Sequence, residues 1–312
     1  MEWGSARMSF AAEAKMEICK NGSSRPCCEV AELYGMLLFA NIFSTTEIRI
    51  RTENAAVYKR AQTLLRRAFG VTAREEIGKA ALARYALDIT AKEDVARILK
   101  AYGYDLNAVT LPFNRAVTDE ECCRSAFLRG AFLVGGSVTN PEKKYHLELV
   151  TPSASLSRQV MSFLLDYGMA PKLSRRKYHY LIYFKESTAI EDFLTAVGAP
   201  LAAMELMQIK VEKELRNDLN RKVNCETANI MKSVDAAAKQ IEAISVIMEH
   251  AGLQTLKEEL RQTAQMRVDY PECSLTELAR KFDPPLSRAG LNHRLKKIIE
   301  IAAAYQTDKE QQ

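Results

Sequence analysis

Ser287, Arg288, Asn292, His293, Arg294, Lys296 and Lys297 crowd one short stretch near the C-terminal end, and no acidic residue interrupts it from 286 to 297. An arginine fork matches the paired acceptors of guanine and an asparagine amide matches adenine in the major groove, so Arg288 and Asn292 are candidate base readers. His293 has no second His or Cys spaced around it for zinc and reads as a groove contact. Arg294, Lys296 and Lys297 suit phosphates. Two vicinal pairs, Cys27-Cys28 and Cys122-Cys123, are the other reactive groups that stand out. Unpaired cysteines pack as small hydrophobes, and adjacent cysteines are unlike the C-x2-C of structural zinc sites. A four-thiolate zinc or redox site between the pairs is the alternative.

The basic stretch needs a helix to present it. Leu291, Leu295, Ile298 and Ala302 recur at helical spacing and form an apolar stripe, with Asn292, His293, Lys296 and Lys297 opposite and Arg288 and Arg294 on its flanks. Ser287 is placed to cap this helix, and Pro284-Pro285 breaks the chain before it. Upstream, Ser274 with Glu277 three residues on is a capping box for a short helix. A helix over about 255–268 precedes it, ended by Tyr270-Pro271. Another runs from a cap at Asn224 or Thr227 to a stop at Gly252, and residues 205–219 form a charged connecting helix. Short capped helix, turn and basic helix make a helix-turn-helix, the arrangement that lays its second helix in the major groove.

The rest of the chain contains a repeat. CCEVAELYGMLL at 27–38 lies over CCRSAFLRGAFL at 122–133 with six of twelve positions identical, an offset of 95 residues. Each copy reads as a helix whose glycine, Gly35 or Gly130, lets two helices approach closely and pack on each other. After copy one, TEIRIRT alternates as a strand, 55–69 is helical, 71–77 and 83–90 are extended, and 91–101 is helical. After copy two the order returns as YHLELVT, helix 153–167, extended 170–176 and 178–184, and helix 187–197. The fold class is therefore α+β, with two αββαββα units followed by an all-α domain. Alternation puts Ile48 and Ile50 against helices and Arg49 and Arg51 on the other sheet face, where Arg175, Lys177 and His179 are expected to join them. From Lys143 to Lys185 eight basic residues face only Glu148 and Asp166. A basic sheet surface for DNA or a partner protein follows.

Length and composition agree with this organisation. The 312 residues are 47% hydrophobic and 27% charged with a net charge of +5, the balance of a globular protein of about two domains. The longest apolar run, Leu33–Phe43, is too short for a membrane span, and the N-terminus lacks a secretory h-region. Seven cysteines fit reduced thiols better than a disulfide framework, so a cytoplasmic, monomeric protein is expected. The expected divisions are an N-terminal helical segment (1–20), a tandem-repeat domain (21–200, repeats about 27–110 and 122–200), a helical connector (201–224) and a helix-turn-helix domain (225–312).

The paired motif helices resemble those of the monomeric LAGLIDADG homing endonucleases. Against that nine-letter motif the copies read LYGMLLFAN (33–41) and LRGAFLVGG (128–136). The resemblance implies a metal-binding acid at the eighth letter, where this chain has Ala40 and Gly135. Neither carries an oxygen ligand, so no catalytic residue, metal or other cofactor is expected. Glu47 and Glu142 match at the same offset and are the remaining candidates for a metal-dependent endonuclease. The strings SFAAEAKMEI, CCRSAFLRGAFLVGGSV, NRKVNCETANIMK and PPLSRAGLNHRLKKI, over residues 8–309, are similar to the WhiA sporulation-regulator family of Gram-positive bacteria. Residues 1–7 fall outside the match and read as an upstream start. That resemblance implies a double-stranded-DNA-binding, nucleoid-associated regulator of transcription, acting in sporulation, cell division and chromosome segregation. It also leaves room for a scaffold that holds another transcription regulator on DNA.

Overall fold

The computed structural model of the chain describes residues 8–21, 25–77 and 85–307. Residues 1–7 of the expected N-terminal segment, the first two of the extended segment 83–90 and the last five of the C-terminal module lie outside the described residues. By internal contacts the chain divides into two compact units, Met1–Lys213 and Glu214–Gln312.

In the first unit, α1 (Phe10–Lys20) starts at Ser9, whose Oγ accepts from the Ala12 N–H. The first copy follows as α2 (Pro26–Leu38), β1 (Ile42–Phe43), β2 (Ile48–Thr52), α3 (Ala55–Phe69), β3 (Arg74–Ile77), β4 (Tyr85–Ile89) and α4 (Lys92–Ala101). The second is α5 (Glu121–Gly135), β5 (Gly136–Val138), β6 (Leu147–Thr151), α6 (Ala154–Asp166), β7 (Lys172–Arg176), β8 (His179–Phe184) and α7 (Ser187–Val197). Both sheets are antiparallel with matching orders, β1-β2-β4-β3 and β5-β6-β8-β7. Asn54 and Ser153 cap α3 and α6 at equivalent places. Within the two copies the helices and the longer strands fall where the sequence places them; β1 and β5 are too short to show an alternation.

The motif helices are buried against each other. A Cβ on Gly35 would fall on the Phe127 carbonyl, and one on Gly130 on the Glu32 carbonyl, so each glycine admits the other helix's backbone. Glu32, fully buried beside this crossing, is neutralised from two elements: Arg60 of α3 forks onto it at 2.8 Å through both nitrogens, and Arg129 of α5 stands 3.4 Å away. A buried carboxylate is tolerable only when paired in this way.

The remaining helices are α8 (Pro200–His250), α9 (Glu258–Asp269), α10 (Leu275–Arg280) and α11 (Arg288–Thr307). The expected division of α8 into a connector ending at 219 and a new helix capped by Asn224 or Thr227 is corrected. Both residues lie exposed in mid-helix, because no glycine or proline occurs from 201 to 250 to interrupt it. A cap residue acts only where the backbone has already left the helix. The stop at Gly252, with φ +75°, is where the sequence puts it. In the second unit Ile244, Ile247, Leu260, Ala264, Leu278, Leu291, Leu295 and Ile298 share one apolar core.

Candidate nucleic-acid interface

α10, its turn and α11 are fixed by local chemistry that the sequence announces. Ser274 Oγ accepts from the Glu277 N–H, and the Glu277 carboxylate accepts from the Ser274 N–H at 2.8 Å. That bond from Ser274 holds the Glu277 carboxyl below its ordinary value. After Pro284-Pro285 the Leu286 N–H returns to the Ala279 carbonyl at 3.0 Å, and Ser287 Oγ receives the Gly290 N–H at 3.0 Å to open α11. Arg267, which the sequence reading did not single out, is buried at the end of α9 and donates to the Cys273 carbonyl at 2.7 Å, holding the turn into α10. Burial pulls its pKa down from the usual arginine value. A single arginine in a polar helix carries no spacing that separates it from a solvated one.

The four stripe residues Leu291, Leu295, Ile298 and Ala302 are all buried. Ser287, Arg288, His293, Lys296 and Lys297 are exposed and Asn292 half-buried. Arg288 and Asn292 line a shallow cleft with Leu275 and Ala289, where α11 starts beside α10. His293, Arg294 and Lys297 border a second cleft with Lys257, Glu258 and Glu259, on the α9 side. There Arg294 already has a carboxylate, Glu259, at 3.4 Å, and its side chain is only 22% exposed. The pairing crosses from α9 to α11 and no local pattern signals it.

The sheet residues are brought together less completely. Ile48 and Ile50 are buried and Arg51 is exposed on the opposite face, as alternation requires. Arg49 shares that face but is engaged by Glu47 at 2.7 Å and by Asp88 of β4. In the second sheet Arg175 stands opposite Tyr180 and Leu173 opposite the buried Ile182, so Arg175 belongs to the helix-facing side. Lys172 and Arg176 take the open face instead, with the parity of His179, Leu181 and Tyr183. Lys177 lies in the hairpin turn with φ +54°, beyond the strand. The expected sharing of one strand face by Arg175, Lys177 and His179 is thus corrected: the two-residue turn between β7 and β8 sets the register, and a shift of one residue exchanges the faces.

Ala40 and Gly135, at the eighth motif positions, sit at the ends of α2 and α5, and a Cβ on Gly135 would meet the Phe39 ring. Glu47 and Glu142 occupy hairpin turns after β1 and β5, where Glu47 pairs with Arg49 and Glu142 is exposed. At the opposite helix ends the structure gathers all four vicinal cysteines, their sulfurs within 4.8 Å of one another. Cys28 and Cys123 also pack on Ala31 and Ala126, as the small-hydrophobe reading expects.

Comparison with known proteins agrees with both halves of this geometry. Residues 124–216 match the model of the WhiA LAGLIDADG-like domain and 219–302 that of the WhiA C-terminal HTH domain. The chain is 38% identical over 310 residues to the "Probable cell division protein WhiA" of Clostridium botulinum, covering 95% of this chain and 98% of that one. The protein of the same name in Ruminiclostridium cellulolyticum is 38% identical over 307 residues, covering 95% and 97%. The crystal structure of full-length DUF199/WhiA from Thermatoga maritima superposes with a TM-score of 0.59 at 26% identity, over 95% of this chain and 99% of that one. A LAGLIDADG-like tandem repeat without the motif acids, joined to a helix-turn-helix unit, thus makes this chain a member of the WhiA family.

Proposed function

We propose that the chain is a non-enzymatic, sequence-specific DNA-binding regulator of transcription, cytoplasmic and associated with the nucleoid. The observation that carries this reading is the open face of α11: its N-terminal half offers Arg288, Asn292, His293, Lys296 and Lys297 with no acid among them, on a helix held by a capping box, a turn and a buried stripe. Arg288 and Asn292 read bases, His293 contacts the groove, and Ser287, Lys296 and Lys297 meet phosphates. Arg294 reaches a phosphate only by giving up Glu259. The relatives' name supports a role in cell division, and the family resemblance extends that role to sporulation and chromosome segregation. The divisions 1–20, 21–200, 201–224 and 225–312 remain the working boundaries for truncation, with the last two meeting inside α8.

Binding to a randomised duplex library should yield one enriched motif for the full chain. Arg288→Ala and Asn292→Ala should each change preference at a separate position, by about 1–3 kcal/mol of discrimination for a good contact. Enrichment that neither substitution alters would overturn the assignment of α11. Plasmid incubated with the protein and Mg2+ or Mn2+ should stay intact, since Ala40 and Gly135 supply no ligand.

A second reading, a scaffold for another regulator, is favoured by a specific surface. Leu215, Leu219, Ile230 and Val234 run along the second unit's part of α8 and are all more than half exposed. Such a row suits an amphipathic helix of a partner. Arg51, Arg176 and Lys172 on the open sheet faces, with Arg49, Arg175 and Lys177 nearby, serve DNA or an acidic partner. Replacing Arg51, Lys172 and Arg176 by serine should shorten the DNA footprint if DNA lies there. An unchanged footprint leaves the partner role.

A further inference from the structure

Two pairs of adjacent cysteines, far apart in the chain, converge on one point. Cys27 and Cys28 occupy the second and third positions of α2, and Cys122 and Cys123 the same positions of α5. Because the two helices cross symmetrically at their glycines, the pairs meet, and all four Sγ atoms lie within 4.8 Å of one another. Among the described residues no other set of three or more His, Cys, Asp or Glu converges in this way. A zinc ion with Zn–S bonds of about 2.3 Å needs sulfurs roughly 3.8 Å apart at the corners of a tetrahedron. Cys27 and Cys28 are already 4.0 Å apart, so closure needs shifts of about 1 Å at most.

Packing alone does not account for the whole group. Cys28 and Cys123 are buried with Ala31 and Ala126 and the half-buried Cys122 packs against them, whereas Cys27 is exposed. A small hydrophobe gains little at Cys27, whose sulfur nevertheless lies within 4.8 Å of the other three. Both pairs lie in the first turn of a helix, where the free N–H groups and the dipole favour negative charge. Sequence spacing hides the site because each helix supplies two adjacent ligands, and the C-x2-C pattern belongs to loops that fold around a metal.

We propose that Cys27, Cys28, Cys122 and Cys123 form one tetrathiolate site for a soft divalent cation, zinc above all, that pins the N-terminal ends of the two motif helices together. Binding releases the four S–H protons to solvent and changes no oxidation state. The site lies away from the helix ends that carry Ala40 and Gly135, so its role is structural: bound metal stabilises the tandem repeat by linkage.

The test uses the full chain purified under reducing conditions without chelator. Elemental analysis should give one zinc per chain, and cobalt titration of the metal-free protein should produce thiolate charge-transfer and tetrahedral d–d bands that saturate at one equivalent. Cys123→Ser should lower cobalt affinity by about tenfold or more, while Cys225→Ser, at an exposed cysteine of α8, should leave it unchanged. If Cys123→Ser fails to fold, the wild-type cobalt spectrum and Cys27→Ser, at the exposed ligand, decide. Cobalt bound without thiolate bands, or zinc far below one per chain together with no cobalt bound by the reduced protein, would overturn the proposal. A disulfide linking the pairs in the metal-free protein under the same conditions would overturn it too, in favour of a redox pair.

Discussion

The crossing of α2 and α5 and the face of α11 use helices in opposite ways. From Cys28 to Leu38, α2 is buried at every position but Val30, and its glycine is spent on contact with the other helix's backbone. α11 buries one row of four and leaves its other described residues half or fully exposed. The motif helices have kept what packing needs, Gly35 and Gly130, and hold none of the acid that cleavage needs at 40 and 135. Packing and chemistry are therefore separable properties of one nine-residue motif. Substitutions at the crossing should act on stability and leave sequence preference alone, and substitutions on the open face of α11 should do the reverse.

The strongest test of that separation is Glu32→Ala. It strands Arg60 and Arg129, whose side chains are only 13% and 12% exposed, and should destabilise the first unit by about 3–5 kcal/mol. Denaturant unfolding followed in both units should show one transition moved and the other unmoved. Next comes Gly130→Ala, which drives a methyl group into the Glu32 carbonyl and should cost about 3 kcal/mol, the upper end of ordinary overpacking. The DNA motif enriched by either variant should match wild type at temperatures where both remain folded.

On α11, Lys296→Ala should leave the melting temperature in place and lower the slope of log K against log salt by about one, alike for all sequences. A shift in sequence preference would move Lys296 from phosphate contact to base reading. The smallest effect contrasts Lys296 with another lysine. Lys15 on α1 lies 5.6 Å from the centre of the Phe132 ring of α5, and burial pushes its pKa down to about 8 from the ordinary 10.5. The unfolded chain therefore holds a proton that the folded chain has released between these values, so stability rises as pH increases from about 8 to 10.5. Lys15→Met should flatten that part of the rise in chemical denaturation, and the difference between variant and wild type isolates it from other titrating groups.

How far these roles were legible in the sequence depended on where the information lay. The motif glycines, the capping box at Ser274 and the stripe of α11 are local patterns with a fixed period, and each appears where the residues place it. The open sheet face was misread at Arg175 because a two-residue turn decides parity, and neither Lys177 nor Tyr178 is a residue that announces a hairpin. The break expected near Asn224 failed for the reason opposite to the success at Ser274: a capable cap with no turn around it. Arg294 and Glu259, Arg60 and Glu32, and the two cysteine pairs are meetings between distant segments, and those follow only from the packed helices.

Fusing both copies into one polypeptide has an outcome that the crossing of α2 and α5 makes concrete. Positions 32 and 127 correspond between the copies, as do 34 and 129, yet they have diverged into Glu32 against Phe127 and Tyr34 against Arg129. Phe127 packs tilted against Phe113 and edge-on to Phe163, and Tyr34 joins the same aromatic group and receives the Asn114 N–H at 2.6 Å, while Arg129 faces Glu32 and donates to the Val197 carbonyl at 2.9 Å. A dimer of identical chains would carry every exchange on both sides of its axis, placing a second buried acid where the aromatic rings now pack. A tandem chain escapes that duplication: one half is free to become oily and the other to hold the charge, and the two halves meet at an effective concentration set by their linker, independent of how much protein the cell contains.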